Sequence, residues 1–316
     1  MRGFSGGWLP SVRTARIRTE VIAMRYLITL FSLLLFTMPT KANAELVVVA
    51  TLPALAQIAQ AVGGEDAEVR SLAKVGQDPH FVPPKPTLAR HLVNANLLFS
   101  VGLALESGWL PPLINLSRNA AIRAGGNGYF AGSDYINVIG ADRVVDRSMG
   151  DVHPDGNPHW WLDPLRVAVV AVALGQKMAM LDPAHSDGYQ QRAEAFADSL
   201  KERTAAWQER LATAAPVITY HDSYRYFIER FGIHVVDFVE PKPGVEPSTN
   251  HLDKLVARLQ QGAASSLWLE PYHDTSTAHR VCERGGIPCR IMPDAIDGES
   301  EEAYIALIEL LVKGAE

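Results

Sequence analysis

The sequence predicts an α/β protein of two lobes, each a mostly parallel sheet flanked by helices, joined by one long helix. Short apolar runs alternate with helical patterns in both halves of the chain, and a long helical pattern occupies the middle. With 316 residues, 47% of them apolar and 20% charged, the chain is long enough for a core in each lobe. We predict an N-terminal lobe over residues 45–185, a linking helix over 186–214 and a C-terminal lobe over 215–316.

The first 44 residues differ from the rest and predict a leader. Met24-Arg25 opens a short basic region, Leu27 to Met38 is a mostly apolar stretch of 12 residues, and Ala42-Asn43-Ala44 has the small-x-small pattern of a secretory cleavage site. The apolar stretch is shorter than the roughly 20 residues of a membrane span. We therefore predict a signal peptide over residues 24–44 and a mature protein that begins at Glu45 in an extracytoplasmic space. Residues 1–23, upstream of Met24, are interpreted as an over-extended start of the reading frame.

The N-terminal half alternates strands and helices in order. Strands are predicted at LVVVA (46–50), EVRSLA (68–73), LLFSVG (97–102) and INVI (136–139), and helices at about 53–62, 86–96 and 106–118. The linking helix follows, with an apolar stripe formed by Tyr189, Ala193, Phe196, Leu200, Ala205 and Trp207. In the C-terminal half, strands are predicted at 216–220, 234–239, 265–270 and 288–292, and helices at 222–231, 250–261, 274–284 and 301–312.

Charge and cysteines limit the classes of partner. Without the leader the chain keeps 23 basic and 34 acidic residues, a net charge of −11. This argues against nucleic acid and anionic membranes, which attract basic surfaces, and is compatible with a cationic ligand. Cys282 and Cys289 favour a disulfide in an oxidising compartment, because no further zinc ligands stand near them. The residue directly after the predicted cleavage site is Glu45 and not a cysteine, so a lipid anchor is not indicated.

Four polar side chains stand where an open parallel sheet binds ligands, at the carboxyl ends of its strands. His80 follows the second strand, and His221 and Asp294 follow strands of the C-terminal half. His159, in NPHWWLDP, stands just before Asp163-Pro164, a predicted helix start. Two candidates come from each lobe. His159 either packs among the aromatic residues or binds a metal while the two tryptophans hold its loop.

Other acidic and histidine residues are weaker candidates. His153 and Asp155, in the polar loop GDVHPDG, either contact a metal transiently or form a solvated turn. Glu270 ends a strand, with His273 close behind, and is the strongest competitor for a ligand role. The remaining five histidines lie in or beside helices and strands, and we expect each to be exposed or to have its hydrogen bonds satisfied within the fold: His91, His185, His234, His251 and His279.

Three segments resemble a known family. DPHFVPPKPTLARHLVNANLLFSVGLALESGWL, NPHWWLDP and ITYHDSYRYFIERFGI are similar to the histidine motifs of the cluster A-I solute-binding proteins, the periplasmic zinc and manganese receptors of bacterial ABC importers. The resemblance runs from about Leu46 to the end of the chain. It implies two lobes joined by a rigid helix and a metal site in the cleft between them. The ligands that it implies are His80, His159, His221 and Asp294.

The chain departs from the family's common pattern in three places. Val82-Pro83-Pro84 follows the first histidine where Glu-Pro is usual, and Asn157 stands where an aspartate is common. The short GDVHPDG replaces the long histidine-rich loop of many zinc receptors. These departures put loop-based metal capture in doubt and leave the primary site intact.

The resemblance implies a non-catalytic protein that captures Zn²⁺ in the periplasm and delivers it to an ABC permease and its ATPase. Three imidazoles and a carboxylate fill a tetrahedral zinc shell. The family's manganese receptors have a carboxylate where this chain has His221, and Mn²⁺ prefers oxygen ligands. A manganese receptor, a secreted zinc hydrolase with Glu270 as base, and an adhesin or metal buffer are the alternatives. We expect a monomer with one primary zinc site, and a periplasmic metallochaperone is a further partner to test.

Overall fold

The computed structural model describes residues 45–141, 153–242, 244–298 and 300–316, together with Met1 and Gly3. The predicted signal peptide therefore lies outside the described residues. Two parallel four-stranded sheets, each flanked by helices, organise Glu45–Glu316. The predicted fold class is confirmed, while the exact domain boundaries stay predictions.

The N-terminal sheet contains four parallel strands in the order β2-β1-β3-β4. They are β1 (Leu46–Ala50), β2 (Ala67–Ser71), β3 (Leu97–Ser100) and β4 (Tyr129–Ala131), and the helices are α1 (Pro53–Gly63), α2 (Pro86–Leu92) and α3 (Leu110–Ser117). The prediction of a strand at INVI was wrong, because residues 136–139 lie outside any strand. The buried ring of Phe130 in β4 packs against Phe99 of β3, with ring centroids 5.4 Å apart. This contact places the fourth strand seven residues earlier than predicted.

Two long helices connect the sheets. α4 (Pro164–Leu181) and α5 (Ser186–Arg210) pack along each other. The Asp163 carboxylate accepts a hydrogen bond from the backbone N–H of Leu165 at 3.0 Å, which confirms the predicted helix start. Among the described helices, α4 alone has the length and hydropathy of a membrane span, but half of it is buried inside the protein, as expected of a core helix.

The C-terminal sheet repeats the strand order of the first, as β6-β5-β7-β8. Its strands are β5 (Val217–Thr219), β6 (Val235–Phe238), β7 (Ser266–Leu269) and β8 (Cys289–Ile291), and its helices are α6 (Arg225–Phe231), α7 (Thr249–Gln260), α8 (Thr275–Gly285) and α9 (Glu301–Ala315). α9 returns to pack on α1 and α5. The predicted disulfide between Cys282 and Cys289 is present, with the Cα atoms 5.8 Å apart, and it ties α8 to β8.

Candidate metal centre

Three of the four predicted ligands meet at one point. One ring nitrogen from each of His80, His159 and His221 lies within 4.8 Å of the other two. The three ring centroids are 5.4 to 5.6 Å apart. Among the residues that the structure describes, this is the one group of three or more ligand-type side chains with such spacing. Asp294 is not a member of the group.

Each histidine is placed by the end of a secondary-structure element. His80 lies in the coil that leads from β2 towards α2, and His221 comes two residues after β5. His159 directly precedes the short 3₁₀ helix Trp160–Leu162, which leads into α4. The carboxyl-end rule of parallel sheets therefore accounts for His80 and His221, while a helix entry supplies His159.

Two of the histidines share one local geometry. In Asp78-Pro79-His80, the Oδ1 of Asp78 accepts from the backbone N–H of His80 at 2.9 Å and lies 2.8 Å from its Nδ1. In Asn157-Pro158-His159, the Oδ1 of Asn157 makes the same two contacts at 3.0 and 3.1 Å. An acceptor at Nδ1 holds the proton there and leaves the lone pair on Nε2 for a metal.

On His80 and His159, the second ring nitrogen is left free to bind a metal. The Nε2 atoms of His80 and His159 are buried and have no hydrogen-bond partner. The Nδ1 of His221 lies 3.6 Å from a carboxylate oxygen of Glu240, so a carboxylate also stands behind the third imidazole. Unpartnered buried nitrogens are costly unless a ligand satisfies them. The arrangement therefore fits a cation at the centre of the three rings.

The surroundings keep His159 neutral. Burial, followed by the neighbouring imidazoles of His80 and His221, lowers the pKa of His159 well below its ordinary value. A histidine must be neutral to bind a metal. His159 is therefore ready to act as a ligand over the whole neutral range of pH.

Asp294 and Glu270 are buried acidic residues that influence each other electrostatically. Burial, with a smaller effect from the charge of Glu270, raises the pKa of Asp294 to about 7. The Tyr272 hydroxyl lies 3.4 Å from a carboxylate oxygen of Asp294. Glu270 is fully buried, and one of its oxygens lies 3.0 Å from the Nε2 of His273. Glu270 thus has a histidine partner outside the three-histidine group.

His153 lies closer to the centre than the sequence reasoning favoured. Its ring centroid is 5.3 Å from that of His80 and 6.5 Å from that of His159. Its Nε2 is buried without a hydrogen-bond partner, and burial, then the other imidazoles, lowers its pKa to about 4. Asp155, by contrast, is exposed. The signal available in the sequence was the position of His153 only six residues before His159.

The two tryptophans hold the His159 loop from opposite sides. The indole N–H of Trp160 donates to the carbonyl of Val101, just after β3, at 3.1 Å. The indole N–H of Trp161 donates to the carbonyl of Asp294 at 3.0 Å. Both side chains are fully buried. The tryptophans therefore fix the loop, as one of the two sequence interpretations required.

The cavity beside the histidines is small and polar. Its volume is about 90 Å³, and its lining consists of Asp78, His80, Phe81, His221, Glu240, Gly244 and His273. Three larger cavities, of about 360, 410 and 590 Å³, contain no histidine in their linings. The lining provides two carboxylates and the imidazoles of His80, His221 and His273. A space of this size and polarity suits an ion and is too small for a sugar or peptide.

Comparisons with known proteins agree with a metal-binding role. The model of the family described as zinc-uptake complex component A, periplasmic (ZnuA), matches residues 48–314. The manganese ABC transporter substrate-binding lipoprotein PsaA of Streptococcus pneumoniae is 27% identical over 301 residues, covering 92% of this chain and 94% of the relative. The iron ABC transporter substrate-binding lipoprotein MtsA of Streptococcus pyogenes is 25% identical, covering 85% and 87%.

Solved structures show the same fold. A zinc-bound ZnuA deletion mutant lacking residues 138–173 superposes with a TM-score of 0.72 at 20% identity, and the match covers 86% of this chain and 98% of the other. The names of these three similar proteins carry three different metals. Similarity alone therefore supports a metal as cargo and leaves its identity to the site.

Proposed function

This chain belongs to the family of the periplasmic component A of zinc-uptake complexes, and we propose that it binds Zn²⁺ as its cargo. The members of this family are substrate-binding transport proteins and not enzymes, and the similar proteins serve metal ABC transporters. The chain is accordingly a metal ABC transporter substrate-binding protein with an extracytoplasmic location. Its partners in that role are a permease and an ATPase.

The observation that carries the zinc assignment is the meeting of three imidazoles. His80, His159 and His221 each present a ring nitrogen to one point. Imidazole nitrogen suits Zn²⁺, whereas Mn²⁺ prefers oxygen ligands and stands lowest in the Irving–Williams order. A site dominated by nitrogen therefore favours zinc over manganese.

We assign the fourth ligand position to Asp294. Its carboxylate is buried beside Glu270, where a negative charge is unfavourable without a cation. A zinc ion held by three neutral imidazoles and one carboxylate fills a tetrahedral shell without a reactive water. Such a closed shell suits capture and delivery. It also disfavours the zinc hydrolase, because such an enzyme keeps a water on its metal.

Manganese is the second candidate, and a specific observation supports it. PsaA, named as a manganese protein, matches nearly the whole chain, and the buried carboxylates of Asp294 and Glu270 are oxygen ligands of the kind that Mn²⁺ prefers. The deciding experiment is competition between Zn²⁺ and Mn²⁺ at equal free concentrations, read by metal analysis of the protein. We expect zinc to occupy the site. Occupancy by manganese would overturn the assignment and make Glu270 a candidate ligand.

Loading of the site is a separate question. We propose that the protein takes zinc either from solution or from a periplasmic metallochaperone, and that it does so as a monomer. A transfer assay with a zinc-loaded donor protein, compared with free zinc at the same concentration, separates the two routes. Faster loading from the donor protein supports a metallochaperone, and equal rates support capture from solution.

A further inference from the structure

Asp78 and Asn157 contact His80 and His159 in the same way, but their side chains differ in one atom. Asp78 has an oxygen where Asn157 has a nitrogen. Asp78 and Asn157 each stand two residues before their histidine, and each uses Oδ1 for the same pair of contacts. Asp78 has a second carboxylate oxygen, which can only accept. Asn157 has an amide nitrogen, which donates.

The amide nitrogen of Asn157 donates a hydrogen bond to the segment that carries His221. Its Nδ2 donates to the backbone carbonyl of Asp222 at 2.7 Å. Asp222 is the residue immediately after His221. A single side chain therefore connects the backbone and ring of one histidine ligand to the chain that carries another. An aspartate at position 157 has no hydrogen to donate and would place a carboxylate oxygen against the carbonyl.

Further contacts give this bond a fixed setting. The Tyr226 hydroxyl, on α6, donates to the backbone carbonyl of Asn157 at 2.7 Å, and it accepts from the backbone N–H of Ile139 at 3.1 Å. The backbone N–H of Asn157 donates to the carbonyl of Ile139 at 2.9 Å. Asn157 is therefore tied to residues before it in the chain and to the C-terminal lobe.

The far end of the same segment is tied down as well. Arg230, on α6, makes two charged hydrogen bonds to the carboxylate of Asp163, at 2.8 and 2.9 Å. The Tyr304 hydroxyl, on α9, donates to the carbonyl of Trp161 at 2.9 Å. With both ends held, the His159 loop has little freedom, and the amide of Asn157 acts at the end nearest the metal ligands.

We propose that Asn157 is a positioning residue that locks His159 to His221 across the two lobes and thereby slows the release of metal. The inference rests on the proposed function only in requiring that the three histidines bind a metal. A bound ion can leave when its ligands move apart, and the Asn157 amide opposes separation of two of them. Loss of one such hydrogen bond should accelerate release roughly fivefold.

The test compares three variants that preserve side-chain shape. Asn157→Asp removes the cross-lobe donor but adds a negative charge near the metal. Asp78→Asn is the matched control, because it removes a charge at the corresponding position before His80 and leaves the cross-lobe hydrogen bond intact. The double variant Asp78→Asn/Asn157→Asp restores the original net charge and lacks the cross-lobe donor.

The measurements are the association and dissociation rates of Zn²⁺, with a chelator to trap released metal, and amide hydrogen exchange of the metal-free proteins. We expect the double variant to release zinc roughly fivefold faster with an unchanged association rate. We also expect faster exchange over 157–163 and 221–224 in both variants that carry Asn157→Asp, and not in Asp78→Asn. A residue with a merely structural role would lower the melting temperature without this separation of the two rates.

Each contrary outcome has a distinct meaning. If the double variant releases zinc at the rate of the unmodified protein, charge alone matters and the positioning role of Asn157 is wrong. Unchanged hydrogen exchange in the double variant would also contradict it. If instead the unmodified protein takes up no zinc, the proposed function fails, while hydrogen exchange still tests the cross-lobe bond.

Discussion

His221 is the residue on which the choice of metal depends. One of its ring nitrogens lies within 4.8 Å of a ring nitrogen of His80 and of one of His159. The residue stands two positions after the end of β5. We expect His221→Ala to weaken zinc binding by more than about 100-fold, since loss of a supporting residue alone typically costs 10- to 100-fold. His221→Glu should narrow the difference between zinc and manganese. Calorimetric titration measures both, with His279→Ala, an exposed helix residue, as the control.

Asp294 yields a prediction in which stability and binding change in opposite directions. Burial raises the pKa of Asp294 to about 7, from an ordinary value of 3.8. The metal-free folded state therefore retains this proton up to about pH 7, and the unfolded chain loses it near 3.8. The stability contributed by the protonated form is present below pH 3.8 and is lost as the pH rises through 7.

Removing the charge of Asp294 should stabilise the metal-free protein and destabilise the zinc-loaded protein. At pH 8, we expect Asp294→Asn to raise the melting temperature of the metal-free protein and to weaken zinc binding. Differential scanning calorimetry with and without zinc provides the measurement. A lower melting temperature in the metal-free variant would show that the carboxylate is not destabilising. Unchanged zinc affinity would remove Asp294 from the ligand set.

The lowered pKa of His159 makes the stability of the metal-free protein depend on pH. Because burial lowers its pKa, protons bind to the unfolded chain first as the pH falls below about 6.5. The stabilising effect of the neutral ring is thus full above that pH and declines below it. Because the folded protein keeps His159 neutral, we expect protons to compete with zinc for this ring only well below pH 6.5. NMR titration of the His159 ring in the metal-free protein provides the measurement, and protonation of the ring near pH 6.5 would contradict a lowered pKa.

At the scale of elements, predictions succeeded where buried apolar periodicity dominated. They failed where tertiary contacts intervened. The third helix was expected from residue 106 but begins at Leu110. Residues 103–109 form turns instead, and this segment starts with positive φ angles of 52° at Leu103 and 61° at Ala104. The Glu106 carboxylate is buried and accepts from the backbone N–H of Val101 at 2.7 Å. No local pattern announces such a turn.

The apolar stripe of α5 shows the same limit. Tyr189, Phe196 and Trp207 are buried as predicted, but Ala205 is exposed. Thr204 is buried in its place, and its hydroxyl donates to the carbonyl of Leu200 at 2.6 Å. A threonine can satisfy its hydroxyl within its own helix, so a polar residue type does not exclude a core position.

The disulfide is the element-scale feature with the most direct test. It joins α8 to β8, which lie away from the three histidines in the chain. Closing so short a loop contributes about 2–3 kcal/mol in the chain-entropy model. We therefore expect Cys282→Ser/Cys289→Ser to lower the melting temperature by several degrees while one zinc still binds. A loss of zinc stoichiometry would contradict this purely stabilising role.

At the scale of the molecule, the sequence predicted a cluster of His80, His159 and His221, because motif resemblance marked all three and strand ends marked His80 and His221. The cross-lobe contacts of Asn157 and Trp161 had no such signal, since each partner lies 65 or more residues away in the chain. The position of His153 was also undervalued, because a polar loop offers no periodicity from which to infer burial. Distances between loops follow from the packing of both lobes.

The cross-lobe contacts predict limited motion on binding. The segment that carries His159 is bonded to both lobes, and α9 packs back onto the N-terminal half. We expect the radius of gyration to change little when zinc is added. Small-angle scattering of metal-free and loaded protein measures this, and a large compaction would count against the stiff linkage.

X-ray absorption at the zinc edge tests the central claim most directly. The protein loaded with one equivalent of zinc should show four nitrogen or oxygen neighbours at about 2.0–2.1 Å, three of them with the outer-shell scattering of imidazole. His221→Ala should reduce the imidazole count to two. Two imidazoles in the unmodified protein, or a count that His221→Ala leaves unchanged, would contradict a zinc site built from His80, His159 and His221.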